Sequence, residues 1–443
     1  MTDNKHPAPV GTLPRARWSR IGFILFLIYA VAFAERTNIS VAAPAMQDDL
    51  ALSTASTGLM LSAFFWGYIL TQVPGGWLAN RYGSRVVISV ALVMWGVTAL
   101  LTAAAPTLPL LLAARFLMGL SEGVVWPAFA VLFMNWFPRS ERARAAGLAL
   151  LALPVSAVIM SPAAGWLIDH LGWKEMFVVQ GIPAFLLALV AWVLLSNDPT
   201  QDRRLSATER DYILATREQR DPGVRDATFT DVLRSPAVWV CTLVYFLWLI
   251  GFYSFALWLP TVLKDLSLLD IEAVGWLSVI PFGIAGCAMV LNARASDRST
   301  RSRSWFIIPP LVLASVVLIV QHFLPQTLAL QMIMLVVVAI GIYAPFGPWW
   351  AWAFEHVPTG QTGPASGLIN VGGSLGGVVG PLVVAWAAGG GLAANGFWAL
   401  GVSLALASAL AAALGALGRR THSDGPLVQA ASPQTLERSE SER

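Results

Sequence analysis

Glu35 and Arg36 stand side by side inside an apolar run that covers 21–46. A charged side chain at membrane depth costs about 2.5–3.5 kcal/mol on insertion scales, so such groups face a cavity or a partner instead of lipid. A guanidinium can clamp a carboxylate through two parallel hydrogen bonds, and a neighbouring acid can carry a proton, which makes the pair a candidate site for a substrate or an ion. The alternative is a helix that ends near residue 34 with both charges snorkelling outward. That would leave only 21–34 to cross a core requiring about 20 residues. A second constellation, Arg115 and Glu122, lies two helical turns apart, about 10.5 Å along an axis and on nearly one face. The two can line one cavity, or form an intramembrane ion pair that links their helix to a neighbour. His6, His170, His322, His356 and His422 fall in tails or at helix ends. The acids left for proton work at depth are therefore Glu35 and Glu122.

The elements that position these groups follow from composition. A hydrophobic fraction of 56% with only 12% charged residues and a mean hydropathy of +0.66 exclude a soluble globular domain, whose charged fraction is about 25%. Apolar stretches long enough to span a bilayer predict an all-α polytopic membrane protein with twelve transmembrane helices at 19–46, 56–79, 86–105, 109–136, 145–170, 174–196, 237–263, 272–293, 305–324, 327–354, 364–389 and 395–418. The predicted organisation is a cytoplasmic tail (1–18), a six-helix half (19–196), a cytoplasmic linker (197–236), a second six-helix half (237–418) and a disordered tail (419–443). In the linker, Ser206 and Glu209 form a capping-box pattern that predicts a short amphipathic helix. With both termini inside, all but four of the 28 basic residues fall in the tails and inner loops. The exceptions are Lys174, Lys264, Arg36 and Arg115, so the positive-inside rule fixes the orientation.

The net charge of +3 thus reports topology and not a nucleic-acid partner. The first apolar segment lacks a small-residue cleavage site, and we expect it to remain as the first helix. Cys241 and Cys287 read as packing residues. The sequon at Asn38 lies inside the first helix, out of reach of glycosylation. No cluster with metal-ligand spacing is visible, so neither a metal nor a cofactor is expected.

The second half has no charge in mid-helix. It offers Tyr343, Trp349, Trp350 and Asn370, with Tyr68 from the first half, as an aromatic and amide wall opposite the cation. Each aromatic has lipid contact or packing as its alternative role. Gly372, Gly376 and Gly380, with Gly373 and Gly377, repeat at a spacing that lets helices approach closely, which we read as packing at a moving interface. No strand or lysine makes it a phosphate loop.

The two halves echo each other at an offset of about 220 residues. Pro138, Gly147, Leu148, Pro162 and Trp166 recur as Pro358, Gly367, Leu368, Pro381 and Trp386. The loop after the second helix reads Gly76, three residues, Asn80-Arg81, Tyr82, Gly83, Ser84, Arg85, with a second copy at Ala293 to Arg298. Six-plus-six duplication with short basic inner loops resembles the major facilitator superfamily over about 20–418. Asn80 replaces the family's Asp, whereas Asp297 keeps it.

The acid-Arg pair followed by Asn38-Ile39-Ser40, Tyr68 followed by Gln72-Val73-Pro74-Gly75-Gly76-Trp77, the Arg115 to Glu122 spacing and the linker run Leu205 to Ile213 together resemble the anion:cation symporter family. That family includes bacterial galactonate, glucarate and hexuronate transporters. The resemblance implies a proton-coupled importer of a small organic anion in a bacterial inner membrane, a monomer that works by alternating access. It implies that Arg36 binds the substrate carboxylate with Tyr68 beside it, and that Trp350 and Asn370 contact substrate. Glu35 and Glu122 would couple protons, with Arg115 as the partner of Glu122. Glu35 stands where sugar-acid importers commonly carry Asp, and Pro154 and Ser156 do not reproduce a substrate-binding Gln. An antiporter or efflux carrier is the second reading, but Ser161 to Trp166 matches its helix-five motif only in part. A membrane enzyme or receptor, the third, would need a nucleophile triad or large extramembrane domain that the chain lacks.

Overall fold

The computed structural model describes residues 16–216, 229–267, 269–357 and 362–423, and among these every regular element is helical. A π-helical turn, Trp18–Gly22, leads into α1 (Phe23–Leu50). The first bundle continues with α2 (Thr54–Tyr82), α3 (Ser84–Ala103), α4 (Leu108–Glu122), α5 (Val125–Trp136), α6 (Arg139–Leu150), α7 (Ala152–Leu171) and α8 (Trp173–Leu194). Two short helices, α9 (Ala207–Thr216) and α10 (Phe229–Leu233), lie in the connection. The second bundle holds α11 (Pro236–Leu266), α12 (Ile271–Arg298), α13 (Ile308–Gln321), α14 (Leu328–Tyr343), α15 (Phe346–His356), α16 (Thr362–Ala387) and α17 (Phe397–Ser423). The expected tails fall mostly outside the described residues, as do Arg217, Arg220 and Arg225 of the linker. The last helix runs to Ser423, past its expected end at 418.

Eleven spans among the described residues are long and apolar enough to cross a membrane. The twelfth, α2, is 29 residues long but less apolar, because it carries Ser56, Ser62, Thr71 and Gln72. Three expected spans are not continuous helices: they break at Gly123-Val124, at Leu151 and at Ala344-Pro345. Each break is followed by a proline at the third position of the next segment, Pro127, Pro154 and Pro348. Proline has no N–H and its ring collides with the carbonyl four residues earlier. Placed in a first turn, where N–H groups have no intrahelical acceptor, it loses nothing.

Close backbone contact sets where α2 and α4 cross. A Cβ on Gly67 would overlap the Phe116 carbonyl oxygen, and one on Gly119 the Phe64 carbonyl oxygen. Only glycine lets the two backbones meet there, and that contact places Tyr68 beside α4. The glycine row of α16 does not lie between the bundles as expected. Gly372, Gly376 and Gly380 face Thr242, Ile250 and Ser254 of α11 inside the second bundle, because a four-residue spacing keeps one face. Gly377 alone of the row meets the first bundle, at Phe65.

The bundles touch through α7 with α12, α2 with α16 and α1 with α11. At the end remote from Arg17 and the basic loops, a Cβ on Gly165 would lie 2.8 Å from the Ile271 carbonyl and one on Gly275 2.5 Å from the Ser161 carbonyl. Thr54 Oγ1 also donates to the Gly391 carbonyl there at 3.3 Å. Near the basic end, by contrast, a Cβ on Gly147 or Gly367 would meet nothing within 4 Å. The halves thus approach closely at the far end through Gly165, Gly275 and Thr54.

The connection is fastened to the first bundle. Arg17, 3% exposed, bridges Glu141 of α6 and Glu209 of α9, each at 2.8 Å. Ser206 Oγ accepts from the Glu209 N–H at 3.3 Å, as a capping box requires. The Glu209 carboxylate turns instead to the Ala16 and Arg17 N–H groups.

Candidate functional site

Between the bundles lies a narrow cleft lined from both sides. The first bundle lines it with Tyr29, Arg36, Tyr68, Trp126, Leu150 and Leu153. The second contributes Tyr245, Leu249, Phe252, Tyr253, Phe346, Trp350, Asn370 and Ser374. Trp126, Leu150, Leu153, Phe346 and Trp350 all sit within a turn or so of a proline-directed break, so the broken helices turn their side chains into the space.

Consecutive residues on a helix point about 100° apart, and this divides the Glu35-Arg36 pair. Arg36 reaches the cleft. It forms an ion pair with Glu122 of α4, and its Nη1 donates to the Tyr253 hydroxyl at 3.3 Å. Its guanidinium carbon lies 4.7 Å from the Tyr68 ring centroid and 5.1 Å from that of Phe64, positions at which ring faces attract a cation. Glu35 points into the first bundle. Asn38 Nδ2 donates to Glu35 Oε2 at 3.1 Å and to Gln180 Oε1 at 2.9 Å.

The expected partnership of Arg115 with Glu122 is corrected by the structure. Arg115 Nη1 donates to the Glu35 carbonyl at 3.3 Å, and its Nη2 to the Arg36 carbonyl at 3.4 Å. Glu122 is taken by Arg36 from the neighbouring helix, so the ion pair links α4 to α1. Both reach the same turn of α1, Arg115 at the Glu35 and Arg36 carbonyls and Glu122 at the Arg36 guanidinium. Arg115 and Glu122, 0% and 2% exposed, sit behind α1 and do not line the cleft themselves.

Tyr68, Trp350 and Asn370 line the cleft as expected, whereas Tyr343 and Trp349 are fully buried. Trp349 stacks on Tyr245 at 5.3 Å with 9° between the rings, and Tyr343 packs on Phe252. Gln72 Nε2 donates across the bundles to Ser374 Oγ at 3.0 Å. Sequence reasoning missed Tyr253, Tyr245, Tyr29, Trp126 and Ser374. Tyr253 had a signal: it lies 217 residues after Arg36, the offset that separates Asn80 from Asp297, so the repeat places the two on equivalent helices.

Among the described residues, one group brings three ligand-type atoms within 4.8 Å of one another: Asp169, His170 and Glu272. It is mostly exposed, at the far rim, with His170 Nδ1 4.0 Å from Glu272 Oε2 across the bundles.

Comparison with known proteins agrees with this architecture. A protein of Agrobacterium vitis named for tartrate transport is 33% identical over 377 residues, covering 83% of this chain and 86% of its own. A Bacillus subtilis protein named for galactarate and D-glucarate transport is 29% identical, covering 85% and 87%. A bacterial homologue of the human lysosomal transporter Spinster, solved inward-facing and occupied, superposes with a TM-score of 0.70 at 20% identity over 92% of this chain and 98% of that one. That last likeness shows the fold alone. Residues 25–381 match the Major Facilitator Superfamily, and the chain, a multi-pass membrane transporter and not an enzyme, belongs to that superfamily.

Proposed function

We propose that the protein is a secondary active transporter that imports a small organic anion together with a proton, by alternating access. The membrane would be the inner membrane of a bacterium, with both termini cytoplasmic. One observation carries the reading: Arg36, the single cation among the described residues that line the cleft, is paired with the buried carboxylate of Glu122. A substrate carboxylate competes with Glu122 for the same guanidinium. When Glu122 takes up a proton it gives up its claim on Arg36, and the anion replaces it. In the empty state the charges are Arg36⁺ and Glu122⁻; in the loaded state they are Arg36⁺ and the anion, beside neutral Glu122. Both states are locally neutral. The intermediate with protonated Glu122 and no anion would leave a buried cation unpaired, at a cost of about 3–5 kcal/mol. That penalty makes proton and anion travel together.

The relatives named for tartrate and for galactarate or glucarate transport support an anionic substrate. Tyr68 flanks the guanidinium, and Trp350 and Asn370 face it from the second bundle as contacts for the rest of the molecule. Glu35 would be a second proton carrier, set off from the cleft with Asn38 and Gln180; Arg115 would position α1 between the two acids. The cleft would reach either side of the membrane in turn by rocking one bundle on the other. The test is uptake into vesicles that contain the purified protein, with labelled organic acids and an imposed inward proton gradient. Accumulation above equilibrium that collapses with the gradient supports symport; accumulation that requires an outward proton flux, or none at all, refutes it.

A further inference from the structure

The cleft also discriminates among anions, an inference that rests on Arg36 holding the substrate carboxylate. Eight of its fourteen lining residues are aromatic, and Arg36 is the only cation among them. Arg115 is no second anchor, since it is fully buried behind α1 with its guanidinium on the Glu35 and Arg36 carbonyls. A dianion would therefore bring one carboxylate to Arg36 and carry the other, without a counter-ion, against ring faces. Unpaired charge in such surroundings is strongly disfavoured. The negative faces of the rings repel it further.

The same walls suit a flat ring. Tyr245 and Trp350 pack on each other at 5.5 Å with 58° between their planes, a corner of ring surface on the second bundle against which a planar body can lie. Offset-stacked and edge-on contacts are the arrangements that aromatic pairs prefer. On the second bundle's side the Tyr253 hydroxyl already accepts from Arg36, and Ser374 Oγ donates to the Asn370 carbonyl and accepts from Gln72, which leaves the Tyr245 hydroxyl and the Asn370 amide as its uncommitted neutral groups. The Asn370 side-chain amide lines the cleft with no hydrogen bond to a described residue, and can meet one hydroxyl or carbonyl.

We infer that the preferred substrate is an aromatic monocarboxylate with one polar ring substituent, and not a diacid of the kind for which the tartrate and galactarate relatives are named. Its carboxylate lies on Arg36, its ring between aromatic side chains of both bundles and its substituent at Asn370.

Equilibrium binding to the purified full-length protein in lipid nanodiscs, by calorimetry at one fixed acidic pH, tests this with four probes: 4-hydroxybenzoate, gluconate, tartrate and galactarate. The expected result is binding of 4-hydroxybenzoate at least tenfold tighter than of the other three. Arg36→Lys should abolish that preference together with the binding, and Trp350→Ala should weaken 4-hydroxybenzoate more than gluconate. If gluconate or a diacid binds as tightly or tighter, and that binding is lost in Arg36→Lys, the substrate class is overturned while the anion-carrier reading stands. If no probe binds, or binding survives Arg36→Lys unchanged, both fall.

Discussion

Replacing Glu122 by Gln removes the carboxylate that pairs with Arg36 while it keeps the size and neutrality of a protonated glutamate. In the proposed cycle the unsubstituted protein takes up one proton with each anion, so affinity should rise as pH falls, tenfold per unit wherever Glu122 is ionised in the empty protein. In Glu122→Gln no proton is exchanged, and affinity becomes flat with pH. Arg36, 2% exposed, is then left without its counter-ion in the empty state, a penalty of about 3–5 kcal/mol that the anion relieves. Part of it is offset by Tyr253 and the rings around the guanidinium. Anion binding at neutral pH should therefore tighten by as much as two to three orders of magnitude, taking about 1.4 kcal/mol per decade.

The same penalty falls on reorientation of the empty carrier. Two assays on one reconstituted preparation separate the consequences. Exchange of labelled for unlabelled substrate, which never requires the empty carrier to reorient, should persist in Glu122→Gln. Accumulation driven by an inward proton gradient should vanish. Full proton-driven accumulation by the variant, or an affinity that still follows pH tenfold per unit, would refute the reasoning and leave Glu35 or another ion to drive the cycle. Loss of both exchange and binding would mean that Glu122 holds the site's shape.

Arg36→Lys keeps the charge but loses the two-pronged clamp on a carboxylate. Charge-assisted bonds are worth about 1.5–3 kcal/mol, so substrate affinity measured by competition should fall tenfold or more, and near-normal affinity would dismiss Arg36 as the anchor. Trp350→Ala and Asn370→Ala should each weaken binding about fivefold, for roughly 1 kcal/mol of lost ring or amide contact, with the melting temperature in detergent unchanged. Equal affinity in both would move the site away from α15 and α16. Arg17→Met leaves Glu209, 0% exposed, without its cation, and should lower stability by about 3–5 kcal/mol. A thermal unfolding scan checks it, and an unshifted midpoint would show that the connection does not depend on this bridge.

The span count and the two-bundle architecture were legible because each rests on composition and period, which survive without knowledge of contacts. The charged residues were legible for the same reason: charge at membrane depth stands out against 56% hydrophobic residues. Their partners were not. Spacing along α4 placed Arg115 and Glu122 on one face and the family resemblance implied that they pair, but a helix face says nothing of what the neighbouring helix presents. The aromatic lining was hidden by abundance, since 19 tryptophans serve packing, membrane contact and cleft alike. Trp349 and Trp350 are adjacent, and the helix turn alone separates a buried ring from a lining one. The breaks were half-visible: Pro127, Pro154 and Pro348 mark them, yet Pro162 and Pro381 lie inside unbroken helices, so proline alone does not announce an end.

Glu35 and Glu122 looked equivalent as isolated acids at similar depth, and the fold makes them different. Direct competition for the cleft's cation is open only to a group that touches it, because a state is biased only by an interaction that differs between states. Glu122 meets that condition through Arg36. Glu35 does not, since it hydrogen-bonds Asn38 on its own helix and lies near Gln180 of α8. Glu35 acts on the anion at one remove, through its charge near Arg115 and Glu122 and through the placement of α1. Arg115 takes part in that placement, holding the carbonyls of Glu35 and Arg36 from α4. In the proposed cycle Glu122 therefore sets how tightly the anion is held, whereas Glu35 acts mainly on how readily α1 shifts against α4 and α8. The first role is read in equilibrium binding and the second in rate.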